Sequence, residues 1–457
     1  MKKTLSTCLL SSALLCGCAG ISHDHGMQDP ASLIKIRTGA GVTVANNDDD
    51  MAAIHETVKK LLTQLPLTED TAVQIALINN RELQATYNEL GVAEADLVQA
   101  GRLSNPGFSF NHTRGGESAV IDRTLTFNLI DLITAPMASR IEARRFEEVK
   151  LQVADAACKV AALTRIAWVE AIAAQQNLDY AKQTSQAADA SLDLADRMAK
   201  AGNWSALELE REQLFSAQEG GKMASAEAIY TQAREKLTQL LGLSGPDIQY
   251  QLPEHMASIP AHLFGAQDIE ALALRDRLDI QAAKLDTSRV AAELGLTKTL
   301  RFINVLELGP ALDTNNGSAR APGYQINVEI PLFDWGQARA EKAESLYMQS
   351  AHRLAAQIVN AQSQVRSAYA DYQAKYEIAR RFQDEIIPLQ KKISAENLLR
   401  YNGMLISVFD LLADARDQIG IVNANVEALK DFWIADARLQ IALGGTISQT
   451  EHSGVVQ

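Results

Sequence analysis

The chain has 457 residues, of which 47% are hydrophobic and 22% are charged, a composition typical of an ordered protein. Its 56 Asp and Glu outnumber its 43 Lys and Arg, which gives a formal net charge of -13, and the Lys and Arg form no basic stripe. Because nucleic-acid binding needs cations gathered on one face, we expect no nucleic-acid partner.

The first residues have the pattern of a bacterial export signal. Lys2 and Lys3 precede an apolar run that is too short for a spanning helix, and the sequence from Leu15 to Cys18 resembles the lipobox of bacterial lipoproteins, whose last Cys is acylated. We therefore expect residues 1–17 to be a lipoprotein signal peptide and Cys18 to be the lipidation site. The alternative is an ordinary secretory signal that leaves Cys18 as a free thiol.

Residues 18–66 are expected to form an acylated tether, because the chain from Ile21 to Pro66 is polar and shows no regular pattern. Within this segment the sequence HDHGM places His23 and His25 close together. Two nearby His residues could hold a metal ion, but a polar tail is the commoner meaning of such a stretch. We therefore predict no metal site and name His23 and His25 as the residues to examine.

Landmarks in the rest of the chain recur at a nearly constant spacing. Thr68 is a predicted N-cap, and the helix that follows it contains ELQA at Glu82, which matches DIQA at Asp279, 197 residues later. Further matches are LID at Leu129 with LFD at Leu332 (offset 203), Gly202 with Gly403 (offset 201), and Gly242 with Gly444 (offset 202). Such a series indicates an internal duplication, with repeats over residues 67–265 and 266–445 and a C-terminal tail at 446–457.

Each repeat contains two short stretches in which apolar and polar residues alternate, as they do in strands. Residues 105–114 and 124–129 form one predicted hairpin, and residues 301–312 and 324–330 form the other. About ten alternating residues allow a tilted strand to cross a bilayer; a soluble four-stranded sheet is the alternative. The residues predicted to face lipid are Leu125, Phe127, Leu129, Tyr324, Ile326, Val328 and Ile330.

The strands lead into stretches that predict very long helices, at 137–200 and 337–401, followed by return helices at 206–241 and 405–443. Apolar and small residues in the long stretches repeat with 4-3 spacing, which indicates helices wound around neighbours. The opening and return helices of each repeat together match the length of one long helix. Two short helices stacked end to end can therefore flank a long one, as in the wall of a cylinder.

These motifs together resemble the TolC-type outer-membrane efflux proteins over nearly all of residues 66–445. The stretches that carry the resemblance are LTEDTAVQIALINNREL, VEIPLFDWG, AKAGNWSALELEREQ and RYNGMLISVFDLLADARDQ. The resemblance implies a mostly α membrane protein, in which a long-helix α-barrel forms a periplasmic tunnel continuous with a β-barrel. That barrel has 12 strands and belongs to a homotrimer, to which each protomer contributes four strands.

The resemblance also implies partners and positions. The partners are outer-membrane lipid, a periplasmic adaptor (membrane fusion) protein and an inner-membrane pump, and the adaptor would dock at the helix turns Gly202, Asn203, Gly403 and Met404. An acidic ring gates the tunnel in the family, and the matching residues here are Asp410, Asp414, Glu208 and Glu212. Ala413 stands where the family's spacing would place the second gate acid, which puts Asp414 in doubt.

The expected function is therefore the outer-membrane exit duct of a tripartite efflux pump for drugs or metal ions, in a lipid-anchored protein with a periplasmic extension. The sequence has no Gly-rich phosphate loop and no nucleophile elbow, so we expect neither an enzyme nor a cofactor. The alternative is a periplasmic lipoprotein with a helical scaffold that does not span the membrane.

Overall fold

The computed structural model describes residues 20–115, 118–265, 268–303, 305–315 and 320–445. The predicted signal peptide, Cys18 and the predicted tail at 446–457 lie outside the described residues. The helices of the first half are α1 Gln28–Thr38, α2 Asp48–Leu62, α3 Glu69–Asn79, α4 Arg81–Ala100, α5 Leu129–Lys200 and α6 Ala206–Leu241. Those of the second half are α7 Ile269–Asp276, α8 Leu278–Leu300, α9 Gln337–Arg381, α10 Ile387–Asn402 and α11 Val408–Leu443. The strands are β1 Gly107–Gly115, β2 Ser118–Asn128, β3 Leu306–Asn315 and β4 Ala321–Val328.

The chain divides into two compact units, each assembled from three separate stretches. The sheet unit lies within Met1–Pro30, Tyr87–Val153 and Leu278–Val359, and it contains all four strands. The helical unit lies within Ala31–Thr86, Ala154–Arg277 and Asn360–Gln457. Both units draw on both predicted repeats, so the duplication does not correspond to two separate domains.

The four strands form one antiparallel sheet in the order β1-β2-β3-β4. Each pairing keeps a single register: Phe108 lies opposite Leu125, Phe127 opposite Leu308, and Leu308 opposite Ile326. β1 and β4 are the edge strands and have no partner strand among the described residues. The predicted fold class is therefore confirmed for what one chain contributes, namely a mostly helical protein with four strands in two hairpins.

The two passages from strand to helix differ. β2 passes into α5 with no loop, because the Asn128 side-chain oxygen accepts hydrogen bonds from the backbone N–H groups of Ile130 and Asp131, as an N-cap does. After β4, eight residues precede α9, and Gly336 ends this link with φ +71°. A Cβ on Gly336 would lie 2.4 Å from the Arg301 backbone oxygen, so only glycine fits there.

The duplication is visible in how the opening helices are interrupted in the helical unit. Asn80 separates α3 from α4 with ψ 119°, and Arg277 separates α7 from α8 with ψ 123°, at the offset of 197 residues that the sequence indicates. Gly242 packs on the first break, where an added Cβ would lie 2.5 Å from the Asn79 backbone oxygen. Gly444 packs in the same way on Arg277. These glycines end α6 and α11 in the left-handed conformation.

The segment before Pro66 is more regular than the sequence predicts, since it contains α1 and α2. Ile54 and Val58 of α2 are buried in the core of the helical unit. Between α1 and α2, the Gln84 side-chain amide donates to the Thr43 carbonyl and accepts from the Ala45 N–H. The prediction that this stretch is irregular is therefore wrong for α1 and α2. The mostly polar composition gave no sign that Ile54 and Val58 are buried or that Gln84 hydrogen-bonds the backbone between the two helices.

Two helix limits also differ from prediction. α5 begins at Leu129 rather than near 137 and includes Pro136. The predicted helix at 337–401 is interrupted by a π-helical turn at Phe382–Ile386, directly before α10. Pro388 lies at the start of α10 and has no N–H to donate to the preceding turn, which explains the irregular geometry there. In the described part of the chain no helix has an apolar run long enough to cross a bilayer.

Gly242→Ala should destabilise the protein more than Gly245→Ala does. Both glycines have positive φ, at +65° and +63°, but a Cβ at Gly245 would meet nothing within 4 Å. Gly245→Ala should therefore cost only the left-handed strain, about 1 kcal/mol. Gly242→Ala adds a clash with the Asn79 backbone and should cost about 2–4 kcal/mol in total. Urea unfolding of the detergent-solubilised protein measures both, and equal losses would contradict the packing described.

Candidate channel elements

The sheet has one apolar face and one polar face. Directly paired residues of antiparallel strands share a face, so the pairings place Phe108, Leu125, Phe127, Leu308 and Ile326 together. The opposite face carries Asn111, Thr124, Thr126, Gln325 and Asn327. On the apolar face Tyr324 is 78% exposed and Ile326 is 55% exposed. Large side chains this exposed on neighbouring strands form a contiguous patch that needs an apolar environment.

Five of the seven residues predicted to face lipid lie on this face: Leu125, Phe127, Tyr324, Ile326 and Val328. The other two are outside the strands, since Leu129 is the first residue of α5 and Ile330 follows the end of β4. The strand assignment is therefore wrong for Leu129 and Ile330. In both passages the alternation of the sequence continues past the point where the backbone leaves the sheet.

Three further residues that were not predicted to face lipid are exposed on the same face: Phe108 and Phe110 on β1 and Leu308 on β3. The signal was present in GFSFNHT, where Phe alternates with small and polar residues. With these residues added, the apolar face extends over all four strands. The patch is therefore a property of the whole sheet.

The turn between α5 and α6 ends one helix and caps the next. Gly202 takes the left-handed conformation at φ +76°, and the Asn203 N–H donates to the Met198 carbonyl. Ser205 then forms a capping box with Glu208: the Ser205 hydroxyl accepts from the Glu208 N–H, and the Glu208 carboxylate accepts from the Ser205 N–H. Glu208 is exposed, and the hydrogen bonds that the Ser205 N–H and the Ser205 hydroxyl donate to its carboxylate lower the pKa of that carboxyl.

The turn between α10 and α11 repeats this geometry with a different residue at its apex. Ser407 and Asp410 form the same capping box, and the hydrogen bonds from Ser407 lower the pKa of the exposed Asp410 carboxyl. The left-handed position is held by Met404 at φ +59°, while Gly403 has φ -80°. Structurally Gly202 corresponds to Met404 at offset 202, so the predicted match of Gly202 with Gly403 is wrong by one residue.

The four predicted gate acids separate into two kinds. Glu208 and Asp410 are exposed capping residues. Glu212 is only 7% exposed; its carboxylate accepts from the Ser191 hydroxyl at 2.9 Å and lies 3.1 Å from Arg416 Nη2. Asp414 is 8% exposed and accepts from the Gln390 amide at 3.3 Å. One helical turn beyond each cap, therefore, an acid packs inside its own helix pair, and the gate role stays a prediction.

An aromatic contact missed by the sequence reading joins the two turns. The rings of Trp204 and Phe409 stack with centroids 4.5 Å apart and planes inclined by 26°. Arg416, which pairs with Glu212, also lies over the Phe215 ring at 3.5 Å from its centroid. The helix turns of the two repeats thus form one packed group within the helical unit.

Comparisons with known proteins agree with this arrangement. The cobalt-zinc-cadmium resistance protein CzcC of Cupriavidus metallidurans is 23% identical over 320 residues, which covers 67% of this chain and 75% of CzcC. The solved structure of CusC has a TM-score of 0.66 at 19% identity, covering 84% of this chain and 93% of CusC. The outer membrane channel CmeC of Campylobacter jejuni has a TM-score of 0.68 at 15% identity, covering 89% of each chain. No protein-family model matches the chain.

The chain has the outer-membrane channel fold. The resemblance to TolC-type proteins that the sequence indicated is thereby confirmed for the fold. Cys18, the predicted anchor of this channel fold, lies outside the described residues.

The predicted metal candidates are not brought together with further ligands. His25 Nδ1 lies 3.3 Å from Glu94 Oε2, and the same carboxylate accepts from the Ser22 N–H at 2.8 Å. His23 is exposed. Across the described ranges no group of three or more His, Cys, Asp or Glu side chains could hold a metal ion. The structure instead shows Glu94 fixing the segment around His25 to α4.

The helical unit of the channel fold also contains a half-buried cluster of charges. Asp436 on α11 and Glu69 on α3 flank Arg165 on α5, whose Nε lies 3.0 Å from Glu69 Oε1. Burial, reinforced by the nearby Glu69 charge, raises the pKa of Asp436 to about 6. Burial also raises the pKa of Glu69. One guanidinium thus faces two carboxylates, and the cluster accommodates a proton more readily than a second negative charge.

Asp436→Asn should stabilise the protein at pH 8 by about twice as much as at pH 5. The pKa of Asp436 is about 6 when folded against 3.8 as the reference value, so the folded state favours the protonated acid. That contribution is complete below pH 3.8 and is lost as the pH rises through 6. Asn is neutral throughout and can still accept the hydrogen bond from Gln440. The gain at pH 8 should be about 1–3 kcal/mol in the free energy of unfolding.

Denaturant unfolding at both pH values measures this difference. Asp431→Asn is the matched control, because Asp431 lies on the same helix in a half-exposed ion pair with Lys375 at 2.7 Å. It should give no gain at pH 8. A gain of equal size at both pH values for Asp436→Asn would show that ionisation is not the cause.

Proposed function

We propose that this chain is one protomer of a trimeric outer-membrane channel, the exit duct of a tripartite efflux system that carries small molecules, drugs or metal ions, out of the periplasm. The observation that carries the proposal is the sheet, which combines an exposed apolar face with two edges that find no partner strand among the described residues. In lipid each unpaired backbone group costs several kcal/mol, so a spanning sheet must close. Copies of the chain paired from β4 to β1 supply that closure, and three copies give the 12 strands that the sequence resemblance implies.

The polar face gives such a barrel a wet interior. Asn111, Asp122 and Thr126 on β2 and its β1 neighbour alternate with the apolar residues, as the wall of a water-filled barrel requires. A soluble scaffold would instead cover the apolar face with its own helices. Phe108, Phe127 and Ile326 remain exposed within the sheet unit, which favours the channel over the scaffold alternative.

The helix turns supply a surface for a periplasmic adaptor protein. Met404 is 93% exposed and Leu405 is 77% exposed at the second turn. An L residue in the left-handed conformation costs about 1–2 kcal/mol, and a large apolar side chain gains nothing by exposure there. Docking of a partner on Met404 and Leu405, next to Gly202 and Asn203 of the first turn, would account for both features. An inner-membrane pump would be the third component of the proposed tripartite system.

Lipid anchoring at Cys18 would add a second attachment to the outer membrane. Glu94 on α4 contacts the Ser22 N–H and the His25 ring, only a few residues after Cys18. These contacts would hold the acylated end against α4. Among the possible cargoes, metal ions are favoured by the similarity to the cobalt-zinc-cadmium resistance protein CzcC. Growth of a deletion strain on a panel of metal salts and drugs separates these classes.

Ile326→Arg should prevent assembly in the outer membrane. Ile326 is paired with Leu308, which is paired with Phe127, so it belongs to an apolar row across the sheet. Val328 is the last residue of β4. Ile326 therefore tests a lipid-facing position more directly than Val328 does. An Arg facing lipid costs about 2–4 kcal/mol at mid-bilayer. The effect is measured as the loss of the trimer band on a gel and of the protein fraction that only detergent extracts from the outer membrane.

Gln325→Arg is the control, since Gln325 is the neighbour of Ile326 on the polar face. This change should leave assembly intact, because the Arg would point into water. A protein that is extracted without detergent and tolerates Ile326→Arg would instead be the non-spanning scaffold.

Asp410→Asn combined with Glu208→Gln should weaken the cation preference of the channel severalfold in single-channel recordings. These are the two exposed members of the predicted acidic ring, and like-charge rings select against anions. The amides keep oxygen acceptors for the caps at Ser407 and Ser205. Asp414 and Glu212 are left unchanged because they are buried in helix contacts. Glu385→Gln removes an exposed acid elsewhere and should change little; equal reversal potentials in all three proteins would refute the gate assignment.

A further inference from the structure

The two faces of the sheet carry charges of opposite sign. The constant registers place Arg114 and Arg123 on the apolar face. The acids of the four strands, Asp122, Glu307 and Asp313, all lie on the polar face. Among the strand residues, all of which the structure describes, no acid shares a face with either arginine. The arginines therefore have no carboxylate partner within the sheet, and their face is the one proposed to meet lipid.

Arg114 lies beside the β1–β2 turn, and Arg123 lies at the middle of β2. Arg114 is next to last in β1 and opposite Ala119, and Arg123 is opposite both Phe110 and Leu312. Leu125 and Phe127 follow Arg123 on the same face, two and four residues toward the helices, which is about 7 and 13 Å at 3.3 Å per residue. On this face the arginines thus lie between the middle of β2 and the β1–β2 turn, whereas Phe108, Phe127 and Ile326 lie between the middle of the sheet and the helices. A lipid molecule has the complementary division between an anionic headgroup and its acyl chains.

A guanidinium on a lipid-facing surface is costly near mid-bilayer and is tolerated near the headgroups, where it can pair with an anion. Arg side chains bind phosphate oxygens through two parallel hydrogen bonds. Arg123 Cζ lies 6.0 Å from the centroid of the Phe110 ring, which holds the side chain close to the sheet. His112 lies between Phe110 and Arg114 on the same face and adds a further donor.

The apolar end of this face offers space for chains. A groove of about 760 Å³ is lined there by Leu103, Phe127, Leu132, Leu308 and Tyr324, among others. Its walls come from the β-strands, from the link before β1 and from the beginning of α5. Acyl chains that extend from a headgroup near Arg123 would run over Leu125 toward this groove.

We propose that Arg114 and Arg123 form a binding site for a lipid with an anionic, phosphate-bearing headgroup, whose acyl chains lie along the apolar face of the sheet. The inference rests on the proposed function, because it requires that this face meets the membrane. It adds a lipid requirement to that function: the part of β1 and β2 from Arg123 to the turn binds the headgroup.

The test compares lipid retention by the full-length trimer. Wild type, the double variant Arg114→Gln/Arg123→Gln and the control Arg197→Gln/Lys200→Gln are purified in detergent and reconstituted in nanodiscs of phosphatidylcholine with or without phosphatidic acid. The control removes two cations from the C-terminal turn of α5, where they pair with Asp193 and Asp196. Native mass spectrometry counts the retained phosphatidic acid, and thermal melting of the trimer reports its stabilising effect.

Wild type and the control should retain phosphatidic acid in preference to phosphatidylcholine and melt at a higher temperature with it. In the Arg114/Arg123 variant the preference should fall about tenfold or more, as expected for lost hydrogen bonds to a charged group, and the shift in melting temperature should vanish. Equal retention by all three trimers would overturn the proposal. So would dissociation of the double variant in detergent without added lipid, since the arginines would then hold a neighbouring protomer.

The outcomes also separate this inference from the proposed function. If the wild-type protein forms no detergent-dependent trimer, the channel proposal itself fails. If it forms one that conducts ions but shows no preference for phosphatidic acid, the lipid site alone is refuted.

Discussion

The sheet depends on one constraint, the pairing of backbone groups where no water is available. Four strands with an apolar face can enter lipid only if β1 and β4 find partners, and within one chain they have none among the described residues. The same alternation that makes the face apolar also makes the other face polar, so closure creates a wet interior without further design. In the proposed channel, oligomerisation therefore completes the backbone pairing of the sheet.

The duplication solves a second problem, the joining of short helices to long ones. Asn80 and Arg277 interrupt the opening helix of each repeat with nearly identical backbone angles, and a glycine at the end of each return helix packs against the interruption. Because Gly242 and Gly444 have no side chain, the return helix can end in contact with the backbone of the opening helix. The paired glycines in the sequence are explained by this close approach, which no hydrophobic pattern could have revealed.

Much of the fold could be predicted because it follows from local rules. Thr68 accepts a hydrogen bond from the Thr71 N–H as an N-cap should, and the alternation at 324–328 became a strand. The failures occurred where a distant contact decides the local structure. Leu129 continues the alternation of β2, but Asn128 caps the helix there, and α2 is fixed by burial of Ile54 and Val58 in a core whose other members lie far along the chain. Of the acids, Glu212 and Asp414 prove to occupy equivalent places 202 residues apart, and their burial could not be predicted from spacing.

The two helix turns show how a duplicated element can keep its framework and change its surface. Both turns place Ser at the N-cap, an acid three residues later and a left-handed residue before them, at a constant offset of 202. The framework tolerates Met404 where the first repeat has Gly202, although the left-handed conformation favours glycine. Since the caps and the Trp204–Phe409 stack fix both turns, the strain at Met404 is held by its surroundings. The repeats therefore share the same backbone turn and differ in the side chains they expose, so a partner that docks there can distinguish one turn from the other.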